Sequence, residues 1–168
     1  EGLFWEYFSP ISDPNVEILE YLLDECLIDD HVNFFLNLGG IPPLFLAVCL
    51  VKVEVVKVLL NQKRIVVDQY CKNGENPLHA LKYYPHSGIA KLLLEKTIDV
   101  NVKTEDNSTL LHLLAGQTCE NLVKKRTEAN FVDEVLKIVN LLLEKEAKVN
   151  LQNKNGKTPL HFAAEGQW

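Results

Sequence analysis

The chain has 168 residues, 47% of them hydrophobic and 24% charged, with a net charge of −6 and a pI near 5.4. This composition is typical of a folded domain with a core and excludes an intrinsically disordered chain. The acidic balance argues against nucleic acid as a partner, because binding to phosphates requires a basic face.

Four cysteines, at positions 26, 49, 71 and 119, form no C-x-x-C pair and no dense cluster. Disulfide scaffolds and zinc sites need such spacing, so we expect reduced thiols in an intracellular, cytoplasmic protein. The apolar run Pro43 to Val51 is shorter than the roughly 20 residues that cross a bilayer, and no signal peptide is visible. We expect no membrane insertion, and we expect Glu1 to Trp168 to be an excised piece of a longer protein.

The first 35 residues predict a divergent helix pair that ends in an extended tail carrying Val32-Asn33. The triplet Asp29-Asp30-His31 in this tail contains side chains of the kind that bind metals. Its place in the tail favours a solvated turn.

A four-residue motif recurs along the chain and predicts the start of a short helix each time. In its last copy Thr158 suits the N-cap, where its hydroxyl accepts from a backbone N–H, and Pro159 suits the first helical position. Leu160 is predicted to point into the core. The copies are Pro42-Pro43-Leu44-Phe45, Asn76-Pro77-Leu78-His79, Thr109-Leu110-Leu111-His112 and Thr158-Pro159-Leu160-His161, with leucines 34, 33 and 49 residues apart.

Two further features keep the same register. Leucine pairs end apolar helical stretches at residues 22–23, 59–60, 93–94 and 142–143, and extended tails with Val-Asn or Val-Asp follow them. Each unit therefore predicts a turn, a short helix, a loop, a second helix and a tail. The predicted units are 1–35, 36–69, 70–102, 103–151 with an insertion of 16 residues within about 116–132, and a partial unit 152–168.

The turn before each motif has its own chemistry. Gly74 and Gly156 stand at the fourth position of predicted tight turns, and Asn107 takes that place in the fourth unit. Asparagine tolerates the left-handed conformation better than other non-glycine residues. Successive units are therefore predicted to project a row of hairpin-like loops.

This arrangement resembles the ankyrin repeat, whose signature is a period of 33 residues with T-P-L-H-x-A before two helices. The segment "NGKTPLHFAAEG" at 155–166 matches it best. The resemblance implies a single all-α domain, a solenoid of paired antiparallel helices with projecting β-hairpin-like loops. It also implies that His79, His112 and His161 hold helix starts by hydrogen bonds instead of binding a metal. Unit two, with Pro42 and Phe45 in place of threonine and histidine, is expected to depend more on apolar packing.

Proteins of this family bind partners through a concave face made of loop tips and exposed inner-helix positions, which gives candidates residue by residue. Tyr83 and Tyr84 are favoured as interface residues, with packing beneath the turn at Pro85 as the alternative. Glu105 and Asp106 are expected at an exposed loop tip, with no reason for a shifted pKa. The candidates are Leu38, Ile41, Cys49, Lys72, Asn73, Glu75, Tyr83, Tyr84, Glu105, Asp106, Ser108, Lys154, Asn155, Lys157 and Glu165.

No catalytic motif is present, so the sequence predicts a non-catalytic module that binds another protein, with no cofactor, metal or small-molecule substrate. The alternative is the targeting arm of a longer enzyme or channel. Irregular units with an insertion are similar to those of poxvirus proteins and effectors of intracellular bacteria, which makes a host regulatory protein one candidate partner. Invertebrate ankyrin-repeat proteins fit nearly as well. Lys124-Lys125-Arg126 in the insertion is interpreted as a solvated face, with a nuclear address as the alternative.

Overall fold

The structure, a computed structural model, describes residues 41–63, 65–71, 73–96, 99–116 and 128–165. The predicted first unit with Asp29-Asp30-His31, and the basic triplet Lys124-Lys125-Arg126, lie outside these residues. The described helices are α1 (Pro43–Cys49), α2 (Val53–Asn61), a 3-10 helix (His79–Lys82), α3 (Ser87–Leu94), α4 (Leu110–Ala115), α5 (Glu128–Glu144) and α6 (Pro159–Glu165).

These helices form two layers. In the inner layer α1, the 3-10 helix, α4 and α6 pack on one another in that order, and in the outer layer α2, α3 and α5 do the same. Helix α1 also packs on α2, and α4 on α5. Only three residues join α1 to α2, a connection that returns the chain as an antiparallel hairpin of helices. The predicted all-α repeat solenoid is confirmed.

The hydrophobic core follows the repeat register. Leu44, Leu78 and Leu111, one from each successive motif, are 1%, 0% and 8% exposed. A unit of this size cannot enclose its own apolar side chains, so each layer buries those of its neighbour. The equivalent leucines of the outer layer, Leu59, Leu93 and Leu142, are buried as well.

The prediction that Leu160 points into the core is wrong, because its side chain is 77% exposed. Within the described ranges no helix packs beyond α6 in the inner layer or beyond α5 in the outer layer. Leu143 is exposed for the same reason, although it continues the predicted apolar face of α5, on which Ile138 is buried. Burial therefore depends on the neighbouring unit and not on the motif alone.

Unit two begins its first helix without a side-chain cap. Pro42 is the N-cap of α1 and makes no side-chain hydrogen bond, while Pro43 occupies the first helical position. Phe45, in the place of the histidine, is 2% exposed and packs in the core. The expected reliance of this unit on apolar packing is confirmed.

Units three and four depart from the regular pattern in length. The first helix of unit three is a single 3-10 turn that ends at Lys82, because Pro85 disfavours the helical conformation of the residue before it. In unit four α5 begins at Glu128, so the last part of the predicted insertion is helical. Residues 117–127 lie outside the described residues.

A tight turn precedes the first helix of units three, four and five. We call these turns the finger loops, and they are residues 71–75 without 72, 104–108 and 153–157. In each, the N–H of the first residue donates to the carbonyl of the fifth over 2.7–2.9 Å. The fourth residue has a positive φ, which the sequence predicted, and Asn107 at +62° confirms that it replaces glycine there. The first and fifth residues are Cys71 and Glu75, Thr104 and Ser108, and Asn153 and Lys157.

Alanine substitution of two glycines separates backbone strain from packing between fingers. Both Gly74 and Gly156 have φ near +70°, at +73° and +72°. A Cβ on Gly74 would lie 2.9 Å from the backbone nitrogen of Glu105, whereas one on Gly156 would meet nothing within 4 Å. We expect Gly156→Ala to lower the free energy of unfolding by about 1 kcal/mol and Gly74→Ala to lower it clearly more, measured by urea denaturation. Equal losses would contradict a close finger-to-finger contact at Gly74.

Candidate protein-binding surface

The ring of His79 connects the start of its helix to the end of its unit. Its Nδ1 accepts from the backbone N–H of Asn76 at 3.2 Å, and its Nε2 lies 3.2 Å from the carbonyl oxygen of Val102, the last residue before the next unit. A backbone N–H can only donate and a carbonyl can only accept. The ring is therefore the neutral tautomer with its proton on Nε2, and this proton is donated to the carbonyl of Val102.

His112 repeats this arrangement one unit later. The backbone N–H of Thr109 donates to Nδ1 at 3.1 Å, and the threonine hydroxyl lies 2.9 Å from the same nitrogen. Nε2 lies 3.0 Å from the carbonyl oxygen of Leu151 and 3.2 Å from that of Lys157. The histidine thus fixes its own helix start and the next finger loop at once, as the sequence predicted.

Thr158 directly precedes α6, at the N-cap position that the sequence predicted. Its hydroxyl lies 2.7 Å from Nδ1 of His161, and its backbone N–H lies 3.3 Å from the same atom. The Thr109 hydroxyl lies beside the His112 ring in the same way. Thr109 and His112 also form a capping box, in which the threonine side chain accepts from the backbone N–H of His112 and the histidine ring accepts from the backbone N–H of Thr109. The helix start is held by both side chains.

Burial keeps these rings neutral. Desolvation lowers the pKa of His79 to about 4, and the carbonyl of Val102 and the nearby Glu75 offset only part of this effect. Desolvation also lowers the pKa of His112, against the opposing effect of the carbonyls of Lys157 and Leu151. Neutral rings are required here because protonation of Nδ1 would remove the acceptor for a buried N–H.

Adjacent finger loops are joined through Asp106. Its carboxylate accepts from the hydroxyl and backbone N–H of Ser108, at 2.8 and 3.3 Å, and from the hydroxyl of Thr104. Its carbonyl accepts from the N–H of Lys154 in the next finger at 2.8 Å. Desolvation acts to raise the pKa of Asp106, but the hydrogen bonds from Thr104 and Ser108 outweigh it and lower the pKa. The expectation that the pKa of Asp106 is not shifted is therefore wrong.

Side chains at the base of two fingers contact the inner layer. The carboxylate of Glu75 accepts from the ammonium of Lys82, and it accepts from the hydroxyl of Tyr83 at 3.1 Å. The ammonium of Lys82 also lies 4.7 Å from the centre of the Tyr83 ring. In the last unit Lys157 and Glu165 form an ion pair at 2.7 Å. We call the three finger loops together with Lys82, Tyr83 and Glu165 the finger face.

Comparison with known proteins identifies this architecture. Residues 44–133 match the sequence model described as ankyrin repeats in three copies, and residues 131–167 match one described as ankyrin repeats in many copies. The chain belongs to the ankyrin-repeat family. A similar curated protein is Alpha-latrocrustotoxin-Lt1a of Latrodectus tredecimguttatus, which is 33% identical over 99 residues. That match covers 59% of this chain and 7% of the relative, so the chain spans only a small part of the length of this relative.

Over the ranges that the structure describes, no helix combines the length and the apolar character needed to cross a bilayer.

Most of the predicted binding residues of this ankyrin domain lie on or beside the finger face. Tyr83 and Tyr84 are half-buried, so both of the predicted roles, packing and display, remain open to them. Leu38 and Lys72 lie outside the described residues. The half-buried candidates besides the tyrosines are Ile41 and Lys157, and the exposed ones are Asn73, Glu105, Asp106, Lys154, Asn155 and Glu165.

Three candidates that were predicted to be exposed are buried. Cys49 is 3% exposed because the last turn of α1 packs into the core, and desolvation raises the pKa of its thiol. Glu75 is buried beneath the two side chains that it binds, and Ser108 is buried with its hydroxyl donating to Asp106. In these ankyrin units the three side chains support the surface and do not form it.

Two residues beside the finger loops were not predicted from the sequence. Lys82 reaches Glu75 across a separation of seven residues, and the motif gives no signal for it. Phe162 packs against Gly116, and a Cβ added to this glycine would lie 2.7 Å from the phenylalanine ring. The rings of Phe162 and His112 meet edge to face, with their centres 5.5 Å apart. The lack of a side chain at Gly116 in this ankyrin unit was the available signal for such a contact.

The depressed histidine pKa predicts that the domain loses stability in acid. An unfolded histidine titrates near 6.5, and His79 in the fold titrates at about 4. Between these values the unfolded chain binds more protons, so stability is complete above about pH 6.5 and falls as the pH falls toward 4. From pH 7 to pH 5 we expect a loss on the order of 2 kcal/mol from this ring, at about 1.36 kcal/mol per pKa unit, measured by urea denaturation.

The control for this pH dependence is His79→Phe, which copies Phe45 of unit two. This variant should be less stable at pH 7, because the N–H of Asn76 loses its acceptor. It should also lose less stability between pH 7 and pH 5 than the unchanged chain. An identical pH dependence in both chains would contradict the assignment to His79.

Asn76 offers a stabilising substitution drawn from the chain itself. Its side-chain nitrogen is buried and has no hydrogen-bond partner within the described part of the chain. Unit four has Thr109 at this place, with its hydroxyl on the histidine. Because an unpaired buried polar group costs about 1–3 kcal/mol, we expect Asn76→Thr to raise the free energy of unfolding by about 1 kcal/mol.

The matched control is Thr109→Asn, which should lower the free energy of unfolding by a similar amount. Urea denaturation of both variants at pH 7 measures the pair. Destabilisation by Asn76→Thr together with no effect of Thr109→Asn would show that the unpaired nitrogen is not costly.

Proposed function

We propose that this ankyrin-repeat domain is a non-catalytic module that binds a folded protein or an extended peptide across its finger face. Ankyrin repeats are interaction modules, and the family match extends through residues 44–167. To this family role we add the surface and the residues that bind the partner. The main support for this proposal is the display of exposed polar side chains on loops whose backbones are held by hydrogen bonds.

The finger loops are suited to binding because little of their backbone remains to be ordered. Each is closed across its base, Asp106 fixes the middle one internally, and Lys154 joins it to the last one. Binding by an ordered loop avoids the entropy cost of fixing a flexible one. The tips can therefore contribute contact energy directly to a complex.

The charged side chains on the finger tips favour a partner that carries both basic and acidic groups. Glu105 presents a carboxylate, Lys154 presents an ammonium and Asn155 presents an amide, all of them exposed. Asn73 is exposed too, but its amide oxygen accepts from the N–H of Glu75 in its own loop. Asp106, although exposed as a residue, directs its carboxylate into its own loop. We infer that orientation and specificity come from these tips, with Tyr83 and Tyr84 supplying apolar contact beside them.

A second proposal concerns the setting of the domain. The chain corresponds to 7% of the length of the curated relative, which supports an ankyrin-repeat part that brings a longer protein to its target. A host-directed role and a cytoplasmic location stay predictions, and identification of the partner tests both.

Substitution at the finger tips tests the proposed surface. The variant Glu105→Ala, Lys154→Ala, Asn155→Ala removes three exposed tip side chains. We expect it to weaken partner binding by about tenfold or more, which corresponds to about 1.4 kcal/mol. Partners are captured from cytosol on the immobilised 168-residue chain, identified by mass spectrometry and measured by titration.

The matched control removes the same three residue types from the outer helices. Glu95, Lys91 and Asn140 are exposed on or at the end of α3 and α5, and Glu95→Ala, Lys91→Ala, Asn140→Ala should leave the affinity unchanged. Circular dichroism checks that both variants are folded. Loss of binding in the control, with normal binding by the tip variant, would place the partner on the outer layer instead.

A further inference from the structure

The tails, which lead from the outer helices into the finger loops, carry exposed charged side chains. Asp68 and Tyr70 precede the first described finger, Asp99 and Lys103 precede the second, and Lys148 precedes the third. All five residues are exposed, and Tyr70 keeps 50% of its surface in solvent. The ion pairs in the described part of the chain join other side chains, so an opposite charge neutralises none of these four charges there.

A hydrogen bond between two tails shows how the tails lie side by side. The side-chain oxygen of Asn101 accepts from the N–H of Lys148 in the next tail at 2.7 Å. The finger loops begin at residues 71, 104 and 153, so Asn101 corresponds to Asp68 in the repeat and Lys148 corresponds to Asp99. The same register therefore places Asp68 beside Asp99.

Two carboxylates lie close to the hydroxyl of Tyr70. Desolvation raises the pKa of this hydroxyl, and Asp68 and Asp99 raise it further, because nearby negative charges oppose its ionisation. The carboxylate of Asp99 is held in place by the N–H of Asn101, from which it accepts at 2.8 Å. One aromatic ring and two carboxylates from neighbouring tails thus share one exposed patch.

The next pair of tails carries the opposite charge. Lys103 corresponds to Tyr70 in the repeat, and Lys148 corresponds to Asp99. The register therefore places two ammonium groups together, one layer away from the two carboxylates. We call Asp68, Tyr70, Asp99, Lys103 and Lys148 the tail row.

This grouping of like charges is unfavourable in the free domain, because like charges repel. The outer helices instead pair opposite charges, with Lys57 on Glu54 at 2.8 Å and Lys137 on Asp133 at 2.6 Å. The core does not use the charges of the tail row, since all of them are exposed. A bound segment with complementary charges would remove both repulsions.

We propose that the tail row binds an extended segment of a partner protein in which an arginine and an acidic residue stand three positions apart. A guanidinium stacks on an aromatic ring and pairs with carboxylates, so it is suited to Tyr70 beside Asp68 and Asp99. The acidic residue then lies on Lys103 and Lys148. Neighbouring helices pack about 8–10 Å apart, and three residues of an extended chain span about 10 Å.

NMR titration of the ¹⁵N-labelled 168-residue chain with capped peptides tests this proposal. The first peptide has an arginine and a glutamate separated by two glycines, the second has the same two residues adjacent, and the third has two arginines separated by two glycines. We expect the first peptide to bind about tenfold more tightly than the other two. It should shift the backbone amide signals of Tyr70, Asp99 and Lys103.

Removal of the two carboxylates should weaken this binding. We expect Asp68→Asn with Asp99→Asn to lower the affinity for the first peptide by about tenfold. The matched control, Glu95→Gln with Glu144→Gln, removes two exposed carboxylates at the ends of the outer helices and should leave the affinity unchanged. The triple finger-tip variant should also bind the peptide normally, so this test is independent of the finger face.

Two further variants separate the ring from the lysines. Tyr70→Leu should lower the affinity by about threefold, because a cation–π contact at an exposed site is weak. Lys103→Glu with Lys148→Glu should reverse the preference, so that the peptide with two arginines binds more tightly than the first. Circular dichroism checks that each variant is folded.

Three results would overturn the proposal. The first is equal affinity for all three peptides. The second is an equal effect of the tail-row aspartate variant and its matched control. The third is a set of shifted signals confined to the finger loops, because the peptide would then bind the finger face.

Discussion

A neutral imidazole that donates on one side and accepts on the other carries the connection between successive units. In His79 and His112 the Nδ1 atom accepts from the start of the histidine's own helix, while Nε2 donates to a carbonyl of the tail that leads into the next finger loop. Both rings are buried, where an unpaired polar atom is costly. One side chain therefore sets the start of a helix and the position of the neighbouring unit, and the apolar core can close between them.

The positions of the finger loops follow from this connection. The ring of His112 contacts the carbonyl of Lys157, the fifth residue of the last finger, and Asp106 accepts from the backbone of Lys154 in the same finger. The loops are thus fixed to each other as well as to the helices. Surface residues on such loops can vary without loss of the fold, which explains how a structural motif of a few residues supports a variable binding surface.

The repeat also determines which side chains are buried. Leu94 and Leu143 occupy the same position in successive outer helices, yet among the described residues only Leu94 is covered by a following outer helix and is buried.

The sequence by itself determined the repeat period, the helix starts and the left-handed turn positions, because these depend on local backbone chemistry. Pro43 at the start of α1 and the positive φ of Gly74 and Asn107 are examples. Only the tertiary structure decided which candidate side chains are exposed. Cys49 and Glu75 stand at register positions that the repeat pattern assigns to the binding face, and both are buried. Exposure depends on the neighbours that packing brings together across units, and no local pattern of residues contains that information.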